Sequence, residues 1–194
     1  MSNIAVFGGT FNPFHIGHYE ILKALCENEL FDQVLLMPAN IPPHKEFRAT
    51  ISDRDRINIC KIACLDFPKA EVTTIEFERE EKSYTYDTVL LLKQEYPDAE
   101  IYITCGADMI ETLDTWHRFD DLKHLVKFVA FNRGKDKRFL NNVKKMRQMG
   151  ANILIMDNII TDVSSTQLRN NPNEKLFPKN ILNYLRNRGI YNGN

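Results

Sequence analysis

A doubly wound α/β fold, a mostly parallel sheet flanked by helices on both faces, is what this sequence predicts. Three observations carry the prediction. Short apolar runs of strand length alternate with segments of helical period along the whole chain. The first such run ends in a glycine pair and passes quickly into a helix. The 194 residues suit one domain of ordinary size, and no repeat, linker or low-complexity segment divides them.

Taken in order, Ile4-Ala5-Val6-Phe7 is a continuous apolar run, the mark of a strand buried on both faces. Ile16–Asn28 has the spacing of a helix, and Val34–Met37 forms a second strand. Asp53–Leu65 is a helix that Ser52 or Asp53 can cap. Val72–Thr74 is the third strand, Tyr86–Glu95 a helix and Ile101–Cys105 the fourth strand. A short helix near Asp120–Leu125 precedes the strand Phe128–Phe131, and a helix over Leu140–Gln148 precedes the strand Ile153–Met156. Helices over Thr166–Asn170 and Pro178–Arg188 close the chain, with Pro178 suited to a first helical turn. The two longest irregular stretches, 38–50 and 132–138, both follow strands. Both are therefore expected over the carboxyl end of the sheet, where ligands bind at the reversal of strand order.

Composition sets the class. A hydrophobic content of 43% and a charged content of 26% are those of a globular protein in water. A net charge of −1 gives no global basic field, so no nucleic-acid partner is expected. No apolar run nears the roughly 20 residues of a membrane span, so no membrane partner is expected either. The first residues show no basic and apolar leader, which points to a cytoplasmic protein. Cys26, Cys60, Cys64 and Cys105 form no CxxC pair. Cys60 and Cys64 have helical i,i+4 spacing, but no second ligand pair follows, and buried free thiols are the expected state.

Chemistry concentrates in Gly8-Gly9-Thr10-Phe11-Asn12-Pro13-Phe14-His15-Ile16-Gly17-His18. Glycines after a strand let the backbone come close to a ligand, and the helix start that follows offers N–H groups and partial positive charge to phosphate. His15 and His18 lie one helical turn apart, able to donate to a polyphosphate and to carry charge as its own charge grows. The loop lacks both the P-loop pattern and the G-x-G-x-x-G of dinucleotide sites. A second cluster, Val163-Ser164-Ser165-Thr166-Gln167-Leu168-Arg169, opens a helix with hydroxyls and an arginine one turn in. Those groups also suit phosphate oxygens.

The first motif resembles the signature of the nucleotidyltransferase superfamily that shares H-x-G-H with class I aminoacyl-tRNA synthetases, and the second resembles that superfamily's I-S-S-T-x-x-R. Within the superfamily the chain is most similar to the bacterial nicotinate-nucleotide adenylyltransferases. The matching segments are Met37 to Lys45, Ser83 to Thr88, Gly106-Ala107-Asp108, Trp116-His117 and the closing Ile181 to Leu185 with Gly189-Ile190-Tyr191. The resemblance implies a Rossmann-like single domain over 1–194, with a small helical portion from about 164 to 194 completing the ATP site. It implies transfer of AMP from ATP to nicotinate mononucleotide, without a covalent enzyme intermediate.

By the same resemblance His15 and His18 are the catalytic pair. Gly8, Gly9, Thr10, Phe11, Gly106, Asp108, Ser165, Thr166 and Arg169 bind ATP. Asn40, His44, Lys45, Thr85, Trp116, His117 and Arg133 bind the acceptor. Mg²⁺ enters with the ATP phosphates, Asp108 being a candidate contact, and a homodimer is left open. Trp116 suits this role physically, because an indole face is a platform for a cationic pyridinium ring. Thr85 and the His117 backbone would receive the nicotinate carboxylate, which nicotinamide lacks. Asn12 departs from the family's usual aspartate, and His124 matches no motif. Nicotinamide mononucleotide or phosphopantetheine as acceptor remains the alternative reading.

Overall fold

The computed structural model describes residues 2–40, 51–78, 84–132 and 138–191. Its six strands are β1 (Asn3–Gly9), β2 (Gln33–Pro38), β3 (Ala70–Val72), β4 (Glu100–Gly106), β5 (Lys127–Phe131) and β6 (Ile153–Met156). They form one sheet in the order β3-β2-β1-β4-β5-β6, and every pair is parallel. Eight α-helices accompany them among the described residues: α1 (Ile16–Glu27), α2 (Asp53–Cys64), α3 (Thr85–Glu95), α4 (Ala107–Glu111), α5 (Phe119–Leu125), α6 (Phe139–Gln148), α7 (Ser165–Asn170) and α8 (Lys179–Asn187).

The apolar runs become strands because both faces of the sheet are covered. Along β1, Ala5 and Phe7 join one core with α1, α2, α7 and α8, while Ile4 and Val6 join the other with α3, α5 and α6. Alternation along the strand thus feeds two cores from one uninterrupted apolar sequence. None of the described helices is long and apolar enough to cross a membrane.

Strand order reverses between β1 and β4. Their pairing runs from Asn3↔Glu100 to Val6↔Ile103 and then stops, while β1 continues along β2 to Gly9 and β4 continues along β5 to Gly106. The two strands therefore part at their carboxyl ends, and the crevice of a doubly wound sheet opens there.

Two expectations need correction. The third strand lies at Ala70–Val72 rather than at residues 72–74, because its register is set by pairing with β2 from Val34↔Ala70 to Leu36↔Val72. Pro178 stands just ahead of α8, at its cap, rather than inside the first turn. The short helix α4 and the 3₁₀ turns at Ile75–Glu78, Leu113–Thr115 and Glu174–Leu176 were not foreseen.

Helix α2 begins as expected, with the Ser52 hydroxyl accepting from the Asp55 N–H at 3.1 Å. Asp55 also anchors the last helix. Its carboxylate accepts from Ser52 Oγ at 2.6 Å, Tyr184 Oη at 2.7 Å and Arg188 Nε at 2.9 Å. These donors, Ser52 foremost and then Tyr184, hold the acid down at about 2, against the pull of burial, with Arg188 assisting. A depressed carboxylate contributes stability above its unfolded pKa and loses it as pH falls through the folded value. Stability on the order of 1–2 kcal/mol should accordingly be lost between about pH 4 and pH 2, and Asp55→Asn should flatten that slope in urea titrations.

Candidate active site

The glycine loop after β1 is built on its own aromatic side chains. Phe11 is fully buried with φ of 46°, and its ring meets those of Phe7 and Phe14 at centroid distances of 5.4 and 5.3 Å. A Cβ on Gly9 would lie 2.8 Å from the Phe11 ring. Glycine is therefore required at position 9 by the ring folded beneath the loop, a reason the sequence did not show. The Phe11 side chain offers a ligand no surface. The Asn12–Pro13 peptide is cis.

His15 caps α1 in an extended conformation and is almost wholly buried. Its ring stacks on that of His18, with centroids 3.6 Å apart and planes 19° apart. The His15 N–H donates to His18 Nδ1 at 3.2 Å. That bond assigns Nδ1 as the acceptor in neutral His18, so the ring proton sits on Nε2. His18 is half-buried, held edge-on to Phe11 at 5.1 Å. Of the two imidazoles, it is the one with exposed surface.

Gly17, between them, matters for a different contact. A Cβ there would lie 2.9 Å from the Thr161 carbonyl oxygen. Thr161 is itself fastened to α1, since its N–H and hydroxyl donate to the two Glu20 carboxylate oxygens at 2.6 and 2.8 Å. The small residue lets the approach to α7 lie against α1. Gly17→Ala should cost about 1–3 kcal/mol by urea unfolding, since the Thr161 carbonyl must give way.

The two motifs meet although some 150 positions separate them. Ser165 Oγ donates to the Pro13 carbonyl at 2.8 Å, and Arg169 Nη1 donates to the Asn12 carbonyl at 2.6 Å. Arg169 Nη2 also holds the Thr166 hydroxyl at 2.9 Å. Ser164 caps α7, accepting from the Gln167 N–H, while Gln167 Oε1 accepts from the Ser164 N–H. Thr166 and Arg169 are exposed.

A crevice of about 380 Å³ occupies the fork between β1 and β4. Gly8, Gly9 and Thr10 form one wall, and Thr85, Trp116 and His117 contribute to another. Thr85 is the first residue of α3, so its hydroxyl and amide stand at an open helix start. The His117 N–H makes no hydrogen bond among the described residues. The His117 ring leans on Tyr84 at 4.6 Å, and Trp116 is half-buried.

Gly106 ends β4, and the exposed Asp108 carboxylate folds over it, so close that a Cβ on Gly106 would lie 2.7 Å from Oδ1. Asn40 lies at the rim, its N–H donating to Glu76 Oε2 at 3.3 Å. His44, Lys45 and Arg133 lie outside the described residues.

Sequence reading missed part of this wall. Glu76, Tyr84, Thr88 and Met109 line the crevice beside the expected residues. Glu76 is buried and accepts from Thr88 Oγ1 at 3.2 Å, so it braces the wall from within. No spacing rule marks it, because its burial depends on the 3₁₀ turn at 75–78.

The thiols take no part. Burial raises all four, with Cys26 at about 11 and Cys64 at about 12. Among the described residues no three His, Cys, Asp or Glu side chains are grouped to hold a metal ion.

Comparison with known proteins agrees with this geometry. The model of the family described as cytidylyltransferase-like matches residues 6–171. A protein of Fusobacterium nucleatum, described as a probable nicotinate-nucleotide adenylyltransferase, is 39% identical over 187 residues, covering 93% of this chain and 92% of its own. A Streptococcus pyogenes protein with the same description is 36% identical over 194 residues, covering 97% of this chain and 88% of its own. Among solved structures, Plasmodium falciparum nicotinic acid mononucleotide adenylyltransferase in complex with NaAD has the same fold. Its TM-score is 0.79 at 19% identity, with 100% of this chain and 99% of that one covered.

Proposed function

Because the chain belongs to the cytidylyltransferase-like family and, within it, to the nicotinate-nucleotide adenylyltransferases, we propose that it transfers AMP from ATP to nicotinate mononucleotide. The products are nicotinate adenine dinucleotide and pyrophosphate. The observation that carries this reading is the junction of the two motifs, with α7 bonded to Asn12 and Pro13 of the loop whose Gly8, Gly9 and Thr10 line the crevice.

The acceptor phosphate is already an anionic nucleophile, so the chain needs no serine or cysteine nucleophile, and its raised thiols supply none. The acceptor oxygen attacks the α-phosphorus in line as the bond to the bridging oxygen breaks and the electron pair leaves on pyrophosphate. The protein's part is positioning and stabilisation of charge. His18 donates Nε2–H to an α-phosphate oxygen, and His15, stacked behind it, fixes the ring. Ser165, Thr166 and Arg169 receive the β- and γ-phosphates. Arg169 spends two N–H donors on Asn12 and Thr166 and has the rest of its five for phosphate.

The residues present suit a metal held chiefly by the nucleotide. They form no ligand cluster of their own among those described, and Asp108 offers a single exposed carboxylate at the crevice. Asp108 would help to hold a Mg²⁺ ion carried in with ATP, and the ion would supply positive charge to the departing pyrophosphate. On the acceptor side Trp116 stacks on the pyridinium ring, while the Thr85 hydroxyl and the His117 N–H take the nicotinate carboxylate.

The test is product identification. Purified protein with ATP, Mg²⁺ and nicotinate mononucleotide should form nicotinate adenine dinucleotide with one pyrophosphate per turnover. Turnover with phosphopantetheine instead would move the chain to the alternative acceptor, and no pyrophosphate with any acceptor would overturn the reading.

A further inference from the structure

Resting on the adenylyl-transfer reading, we infer that Arg56 is a positioning residue that fixes the donor cradle against the acceptor wall. Arg56, on α2, is completely buried and is among the largest wholly buried side chains described. Its Nη1 donates to two carbonyls from different strand ends, Thr10 at 2.9 Å and Ala39 at 2.7 Å. Its Nη2 pairs with Asp53 Oδ1 at 2.6 Å, and its guanidinium carbon lies 5.6 Å from the Phe77 ring centroid.

Three of the groups around it, Thr10, Ala39 and Phe77, adjoin different parts of the site. Thr10 follows the glycines of the phosphate loop, and Ala39 leads to Asn40 at the acceptor rim. Phe77 follows Glu76, the buried brace of the crevice wall. The Ala39 N–H also donates to the Gly9 carbonyl at 2.8 Å, extending the β1–β2 ladder to the rim. One planar cation thus bridges the chain just beyond the ends of β1 and β2.

Packing alone does not call for a guanidinium here. Burying a cation costs several kcal/mol in desolvation, and a well-packed apolar side chain of similar volume often serves stability as well. The fork does what an apolar group cannot: it fixes two carbonyls and a carboxylate at set angles. In-line transfer is sensitive to that spacing, since a misplacement of about 1 Å costs on the order of a hundredfold in rate. The expected signature is a loss in kcat, because each loop can still bind its own nucleotide.

The test compares the wild type with Arg56→Lys, Arg56→Ala and Asp53→Asn. Arg56→Lys should lower kcat by about ten- to a hundredfold. The KM for each nucleotide should stay within about threefold of wild type. Millimolar guanidinium should restore turnover to Arg56→Ala, as a merely structural loss would not allow. Asp53 is half-exposed, so Asp53→Asn should fold normally and lower kcat by about three- to tenfold by loosening the fork.

Wild-type kcat in Arg56→Lys overturns the inference, as does a loss that guanidinium leaves unchanged. Should neither Arg56 variant fold, wild-type kcat in Asp53→Asn overturns it alone. A wild-type protein that releases no pyrophosphate overturns the underlying reading, and the inference with it.

Discussion

Replacing His18 by alanine should lower kcat by about 10²–10³-fold, the usual effect of removing one preorganised donor from a developing charge. The stacked pair makes His18 the presenting imidazole, with Nδ1 engaged by the His15 N–H and the proton on Nε2. Alanine also leaves that N–H without its acceptor, which costs about 1–3 kcal/mol if the amide stays dry. Asparagine separates the two effects. Its Oδ1 can accept from the His15 amide, so His18→Asn should melt near wild type and remain as inactive as the alanine variant. Steady-state pyrophosphate release beside a thermal melt checks both. Near-normal turnover in either variant would remove His18 from the chemistry.

Trp116→Ala should raise the KM for the acceptor by about tenfold or more, with the KM for ATP unchanged. A desolvated cation–π contact with tryptophan contributes about 2 kcal/mol, and stacking area is lost with it. Trp116 is half-buried, on the same crevice as Thr85 and His117 and across from Gly8 to Thr10. Trp116→Phe should recover much of the loss. A rise confined to the KM for ATP would place the indole on the donor instead.

The parallel sheet and the crevice were readable because apolar runs and glycine turns are local signals. Ile4–Phe7 followed by Gly8 and Gly9 placed β1 and its loop before any contact was known. Val72–Thr74 misled by its β-branched residues, since a three-residue edge strand takes its register from β2 rather than from propensity. Helix α4 spans only five residues, too few for a period to show. Its start at Ala107 nevertheless brings Asp108 to the crevice.

Within the site, the junction of Asn12 and Pro13 with Ser165 and Arg169 was legible only as two separate motifs, each suited to phosphate. Phe11 was not legible in that way: the motif suggests a ligand contact, while the structure puts its side chain in the core. Arg56 was invisible for the opposite reason. A charged residue one turn into a polar helix reads as solvated, whereas the structure brings Thr10, Ala39 and Asp53 to it in the interior.

The central claim is that this crevice selects a nicotinate carboxylate on the acceptor of an adenylyl transfer. Competition measures it most directly, because product ratios from mixed substrates report the ratio of kcat/KM values. With equimolar nicotinate and nicotinamide mononucleotides and limiting ATP, the product should be overwhelmingly nicotinate adenine dinucleotide. Equal amounts of the two dinucleotides, or an excess of the nicotinamide product, would contradict the account.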